Sequence, residues 1–103
     1  MQRFLKVASL TQLAPGQALA VQVAGKALAL FHADGAIRAL DGECTHAGAP
    51  LCEGELDGTV LTCPWHAATF DLTSGKALSR PATLDLRTYP VRVEGDDVLV
   101  DLG

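Results

Sequence analysis

The chain has 103 residues, enough for one domain with a single core and too few for two. Apolar residues make up 49%, which argues against disorder, and the formal net charge of −4 argues against a nucleic-acid surface, which would need clustered lysine and arginine. No apolar run approaches the roughly 20 residues of a membrane span, and the N-terminus lacks a signal-peptide core, so we expect a soluble cytoplasmic protein that binds neither nucleic acid nor membrane.

The first third of the chain shows short strands separated by glycine-containing and aspartate-containing turns, and no convincing long helix. The pattern predicts strands at Arg3–Ser9, Leu19–Val23, Ala27–Ala33 and Ala36–Leu40. Asp34-Gly35 is a strong hairpin signal between the last two of these strands.

The middle third is less regular. From Asp41 to Pro50 there is little periodicity, and Leu56–Leu61 then reads as a small hairpin with an Asp-Gly turn. Cys63–Ala68 forms a second irregular loop, which is followed by the strand-like Thr69–Leu72. Both irregular segments therefore belong to an insertion over about residues 42–72.

The last third returns to strands. Leu86–Glu94 has an alternating pattern in which Pro90 is expected at an edge or bulge. A turn at Gly95-Asp96-Asp97 then leads into Val98–Leu102. The prediction is an all-β single domain over residues 1–103, with a base of strands from both chain ends and an insertion that carries two loops on hairpins.

Two cysteine–histidine pairs stand in the irregular segments, Cys44 with His46 and Cys63 with His66. Two thiolates and two imidazoles in mixed pairs suit a zinc ion, or a [2Fe–2S] cluster with one iron bound by sulfur and the other by nitrogen. Three cysteines make no disulfide framework, and an odd number in a reducing compartment points to metal ligation. The third, Cys52, has no nearby histidine and is interpreted as a free thiol beside the site.

The sequence around both pairs resembles the two cluster-binding loops of Rieske-type ferredoxins. The similar segments are residues 44–51 with 53–54, 63–66 with 69–71, and 86–91. The resemblance covers essentially the whole chain. It implies a Rieske-like antiparallel β-sandwich of three sheets, with a cluster-binding subdomain over about residues 42–72 formed by two hairpin loops.

The resemblance also implies a role. The family consists of small one-electron carriers that take electrons from an NAD(P)H-dependent flavin reductase and pass them to the terminal oxygenase of an aromatic ring-hydroxylating dioxygenase system. Such a carrier holds one [2Fe–2S] cluster per chain and is not itself an enzyme. Carried over by position, Cys44 and Cys63 would bind the buried iron, and His46 and His66 would bind the outer iron. Partners would then dock transiently near the two histidines.

The Rieske proteins of the respiratory quinol-oxidising complexes form the high-potential branch of the family. This chain differs from that branch in two ways that bear on the reduction potential. Where that branch has two disulfide-forming cysteines, this chain has Ala49 and Trp65, and where it has a serine that bonds to a cluster sulfur, this chain has Ala68. Because hydrogen bonds to sulfur raise the potential, their absence implies the low end of the Rieske range, about −150 mV.

Other interpretations stay open at this point. Zinc would stabilise the same loops in a structural binding module. A small Rieske subunit of a nitrite-reductase-like or redox-sensing assembly would keep the cluster and change its role, with slight support from Cys52.

Several further residues have both an ordinary and a functional interpretation. His32, remote from both pairs, is expected to be structural, whereas Trp65 could equally pack against the cluster loop or contribute to docking. The acidic residues around the loops are either solvated hairpin charges or a surface that steers a basic partner; they are Glu43, Glu53, Glu55, Asp57 and Asp71.

Overall fold

The structure is a computed structural model, and it describes residues 4–33, 35–42, 54–63, 68–78 and 85–102. The described residues form ten strands: β1 Phe4–Ser9, β2 Ala18–Val23, β3 Lys26–Ala33, β4 Ala36–Asp41, β5 Glu55–Asp57, β6 Val60–Thr62, β7 Thr69–Asp71, β8 Thr88–Tyr89, β9 Val91–Glu94 and β10 Asp97–Asp101. A 3₁₀ turn at Leu10–Gln12 is the one helical element among them. In these ranges no helix is long and apolar enough to cross a membrane.

The strands form three antiparallel sheets, which confirms the predicted sandwich. Their orders are β1-β10-β9, β2-β3-β4-β8 and β5-β6-β7. In the first sheet Phe4 pairs with Asp101, so strands from both ends of the chain form the base as predicted.

Short turns set the register of the middle sheet. Ala24 and Gly25 connect β2 to β3, and both have positive φ, 51° and 78°. A two-residue turn of this kind matches the twist of the strands on either side. The sequence predicts a connection of three residues, Ala24 to Lys26. In the structure Lys26 already belongs to β3, where it pairs with Val23, so the connection has two residues.

The middle sheet is buried on both faces, and this explains the apolar run in β3. A site-side core lies between this sheet and β5-β6-β7, and a base core lies between it and β1-β10-β9. Ala29, Phe31 and Ala33 enter the site-side core, whereas Leu28 and Leu30 enter the base core. A strand with two covered faces lacks the polar alternation of a strand that faces water on one side.

The predicted strand Leu86–Glu94 is divided in the structure. Tyr89 at the end of β8 pairs with Ala39 of β4, and Val91 at the start of β9 pairs with Val100 of β10. Pro90 thus lies where the chain passes from one sheet to another. Since proline has no N–H to donate to a ladder, it fits this break between two edge strands.

Candidate metal centre

The second cysteine–histidine pair lies on the β6–β7 hairpin. Thr62 and Thr69 form the last strand pair, and beyond it the N–H of Cys63 donates to the carbonyl oxygen of Ala68 at 2.7 Å. Four residues, His66 among them, connect Cys63 to Ala68 and lie outside the described residues. The hairpin therefore fixes both ends of the segment that carries the predicted histidine ligand.

Cys63, a predicted sulfur ligand, is buried. Its residue is 2% exposed and belongs to the site-side core, with Leu61, Ala68 and Phe70. A thiolate is costly in apolar surroundings unless a positive centre compensates for the lost hydration. The burial of Cys63 and the rigid hairpin beneath it fit an iron held on the inner side of a cluster.

The first pair lies in the segment between β4 and β5. Cys44, His46 and Cys52 fall outside the described residues, so their approach to Cys63 stays a prediction. The described strands on either side of the segment belong to different sheets. The hairpin expected for the first loop also lies outside the described residues.

The start of that segment is closely held. The N–H of Gly42 donates to the carbonyl oxygen of Ala27 at 3.0 Å. A Cβ built on Gly42 would lie 3.1 Å from the carbonyl carbon of Ala27, closer than side chains ordinarily pack. Glycine therefore allows the chain to leave β4 directly against the backbone of β3.

A polar contact next to Gly42 was not recognised from the sequence. The hydroxyl of Tyr89 donates to Oδ1 of Asp41 at 2.6 Å, and the two residues are 48 positions apart. Burial is the largest cause that raises the pKa of Tyr89 to about 12, followed by the hydrogen bond to Asp41 and the charge of its carboxylate, while Arg87 lowers it. No local motif marks such a pair, because it forms only when β8 docks on β4.

His32 lies on β3 and contacts the backbone of Leu13. Its Nδ1 lies 3.0 Å from the carbonyl oxygen of Leu13, and its strand neighbours Phe31 and Ala33 are buried. The contact ties β3 to the segment after the 3₁₀ turn, which favours the structural interpretation.

The acidic residues divide into different roles. Glu55 and Asp57 are exposed on β5, whereas Asp71 accepts the N–H of Thr73 at 2.8 Å and so stabilises the turn after β7. Glu43, Glu53 and Trp65 lie outside the described residues.

Comparison with known proteins decides the family. Residues 3–90 match the family model of the Rieske [2Fe–2S] domain. The chain belongs to this family. It is 40% identical over 102 residues to the ferredoxin component of the naphthalene 1,2-dioxygenase system of Pseudomonas aeruginosa, covering 99% of this chain and 98% of that protein.

The fold of this Rieske domain is shared with solved ferredoxins. The ferredoxin of Sphingomonas yanoikuyae B1 has a TM-score of 0.90 and 33% identity, covering 98% of this chain and 100% of that one. A chain from a complex of reduced oxygenase and oxidised ferredoxin in carbazole 1,9a-dioxygenase has a TM-score of 0.88 and 34% identity, covering 98% of this chain and 94% of that one.

Several predictions are thereby confirmed: the Rieske family, the three-sheet fold, a [2Fe–2S] cofactor, and the role of a ferredoxin that carries electrons and is not itself a catalytic enzyme. The comparisons favour this role over the zinc module and over the regulatory or nitrite-reductase-like subunit. The individual ligands stay predictions.

Proposed function

We propose that this Rieske domain carries single electrons from an NAD(P)H-dependent flavin reductase to the terminal oxygenase of an aromatic ring-hydroxylating dioxygenase system in the cytoplasm. The observation that carries the proposal is the 40% identity to a dioxygenase ferredoxin component over 98% of that protein's length. The likeness to a ferredoxin chain from an oxygenase–ferredoxin complex supports the oxygenase as one partner. The odd cysteine number supports a reducing compartment.

The proposed ligands are Cys44 and Cys63 for the inner iron and His46 and His66 for the outer iron. The burial of Cys63 and its fixed place at the end of the β6–β7 hairpin support an inner, sulfur-bound iron. The ligand loops and the sheet β5-β6-β7 form a cluster-binding subdomain over about residues 42–72 of the single domain 1–103. When bound, the cluster accepts and returns one electron, and histidine ligation raises its potential above that of all-cysteine clusters.

The proposed reduction potential lies at the low end of the Rieske range, about −150 mV. Ala68 is fully buried and pairs with Cys63, and its methyl group can donate no hydrogen bond to a sulfur at this position. Fewer hydrogen bonds to sulfur disfavour the reduced, more negative cluster. A low potential suits an electron path from a flavoprotein to an oxygenase.

Docking takes place near His46 and His66, where an imidazole edge offers a short path for the electron. The chain carries a net charge of −4, and Glu55 and Asp57 are exposed on the sheet that holds the second loop. Glu55 pairs with Thr62, the residue before Cys63, so its charge steers a partner with a basic docking surface toward the proposed second ligand loop.

Reconstitution tests the function. A flavin reductase, a terminal oxygenase and its aromatic substrate are combined with NADH, with and without this protein, and product formation is followed. We expect product only when the protein is present, and loss of product when His66→Ala replaces it. Product formed at the same rate without the protein would contradict the carrier role, and a matched His32→Ala variant controls for nonspecific effects.

A further inference from the structure

Four contacts converge on the two residues that precede the first ligand segment. The N–H of Asp41 donates to the carbonyl oxygen of Arg87 at 3.0 Å, and the N–H of Arg87 lies 3.4 Å from Asp41 Oδ2. The Tyr89 hydroxyl donates to the other carboxylate oxygen, Oδ1, at 2.6 Å. The N–H of Gly42 bonds to Ala27. Both carboxylate oxygens are therefore engaged immediately before the chain leaves β4.

Tyr89 itself is held firmly. Its residue is 5% exposed, packed in the base core, and paired in register with Ala39. The Arg87 guanidinium and the Lys26 ammonium lie 5.1 and 5.4 Å from the centre of its ring. These contacts leave the hydroxyl little freedom to move, so it offers Asp41 a fixed anchor.

The position of this anchor in the chain suggests what it does. Cys44 follows Asp41 by three residues, with Gly42 and Glu43 between them. A segment that begins at a fixed residue has fewer open conformations than one that begins at a frayed strand end. A short hydrogen bond to a carboxylate also opposes local opening more strongly than a neutral one.

We propose that the Tyr89–Asp41 hydrogen bond is a positioning contact for the cluster: it fixes Asp41 and Gly42, which directly precede the segment with the proposed ligand Cys44. The inference rests on the proposed ligand set. Tyr89 is therefore a positioning residue that acts through Asp41 and Gly42. Its expected effect is on how long the cluster is retained.

The test compares holoprotein variants by hydrogen exchange of the peptide covering residues 43–53 and by the rate of iron loss to a chelator. Tyr89→Phe keeps the buried ring and removes the hydroxyl. We expect both rates to rise about tenfold, which corresponds to about 1.4 kcal/mol. Unchanged exchange and iron loss in Tyr89→Phe would overturn the proposal.

A matched control separates positioning from general stability. Val98 is fully buried in the same base core on β10. Val98→Ala should lower the melting temperature while leaving exchange of residues 43–53 and iron loss at wild-type rates. Equal acceleration of both rates in Val98→Ala and Tyr89→Phe, at matched melting temperatures, would overturn the proposal.

Rescue identifies the hydrogen bond. Asp41→Asn keeps an oxygen that can accept from Tyr89, and Asp41→Ala does not. We expect Asp41→Asn to exchange and lose iron more slowly than Asp41→Ala, and equal rates would overturn the assignment to this bond. Failure of the proposed function would appear in the wild-type protein as absent electron transfer, whereas failure of the positioning role appears only in the variants.

Discussion

Cys63 and Ala68 face each other across the mouth of the β6–β7 hairpin, with the N–H of Cys63 bonded to the carbonyl oxygen of Ala68 at 2.7 Å. Both residues are buried in the site-side core. One hairpin thus joins the hydrophobic core to the proposed second ligand segment, so the Cys63 sulfur is held by the same packing that stabilises the fold.

Removal of a proposed ligand should remove the cluster. We expect His66→Ala to lose most of its iron and sulfide, or to show a markedly changed visible spectrum, because one coordination position of the outer iron becomes vacant. His32→Ala should retain iron, sulfide and spectrum, and lose only about 1 kcal/mol of stability with its contact to Leu13. Iron and sulfide analysis checks both variants. A wild-type spectrum in His66→Ala would show that the ligand set is wrong.

A hydroxyl at residue 68 should raise the reduction potential. Ala68→Ser introduces a donor at the buried position opposite Cys63, and a hydrogen bond to sulfur favours the reduced cluster. If the hydroxyl finds no acceptor, the expected cost is instead about 1–3 kcal/mol of stability. Redox titration measures the potential.

The control for this variant is Ala77→Ser, in the segment after the turn that follows β7, where Ala77 bridges to Phe70 and is only partly buried. Its potential should equal that of the wild type. A folded Ala68→Ser protein with wild-type potential and wild-type stability would contradict the explanation of the low potential.

The turn after β7 should not tolerate a side chain at Gly75. This residue is buried and has a φ of +77°, and an added Cβ would overlap the carbonyl oxygen of Leu86. We expect Gly75→Ala to reduce the free energy of unfolding by about 3 kcal/mol or more, from the left-handed backbone and the overlap together.

Gly95 is the matched control, since it has a φ of +61° but no heavy atom within 4 Å of an added Cβ. Gly95→Ala should cost only about 1 kcal/mol. Denaturant midpoints of the two variants measure the difference, and equal midpoints would exclude the overlap with Leu86 as a cause.

Tyr89 should make stability depend on pH in the alkaline range. Burial first, and then the hydrogen bond to Asp41, raise the pKa of Tyr89 from 10.0 to about 12 in the folded protein. A raised pKa means that the fold favours the neutral phenol. The stabilisation of the folded protein by this phenol is therefore fully present below pH 10 and is lost as the pH rises through about 12.

The stability difference between the wild type and Tyr89→Phe should therefore shrink by up to about 2 kcal/mol from pH 9 to pH 12. Denaturation of both proteins across this range measures it. A difference that stays constant with pH would contradict the raised pKa.

The sequence predicted the elements that have local signals. The Asp34-Gly35 turn marks the β3–β4 hairpin and the Asp57-Gly58 turn marks the β5–β6 hairpin, because turns are formed by neighbours in the chain. The spacing of Cys63 and His66 predicts a ligand pair, and this pair stays a prediction. Non-local features were not predicted. The division at Pro90 depends on which sheet each edge strand joins, and the Tyr89–Asp41 bond forms between residues 48 positions apart.

The central claim, that two histidines bind one iron of the cluster, is tested most directly by electron–nuclear double resonance of the reduced protein labelled with ¹⁵N only in histidine. We expect strong couplings from two histidine nitrogens, unchanged in His32→Ala and reduced to at most one in any His46→Ala or His66→Ala protein that retains a cluster. A labelled wild-type protein with no strong histidine coupling, or with only one, would contradict it.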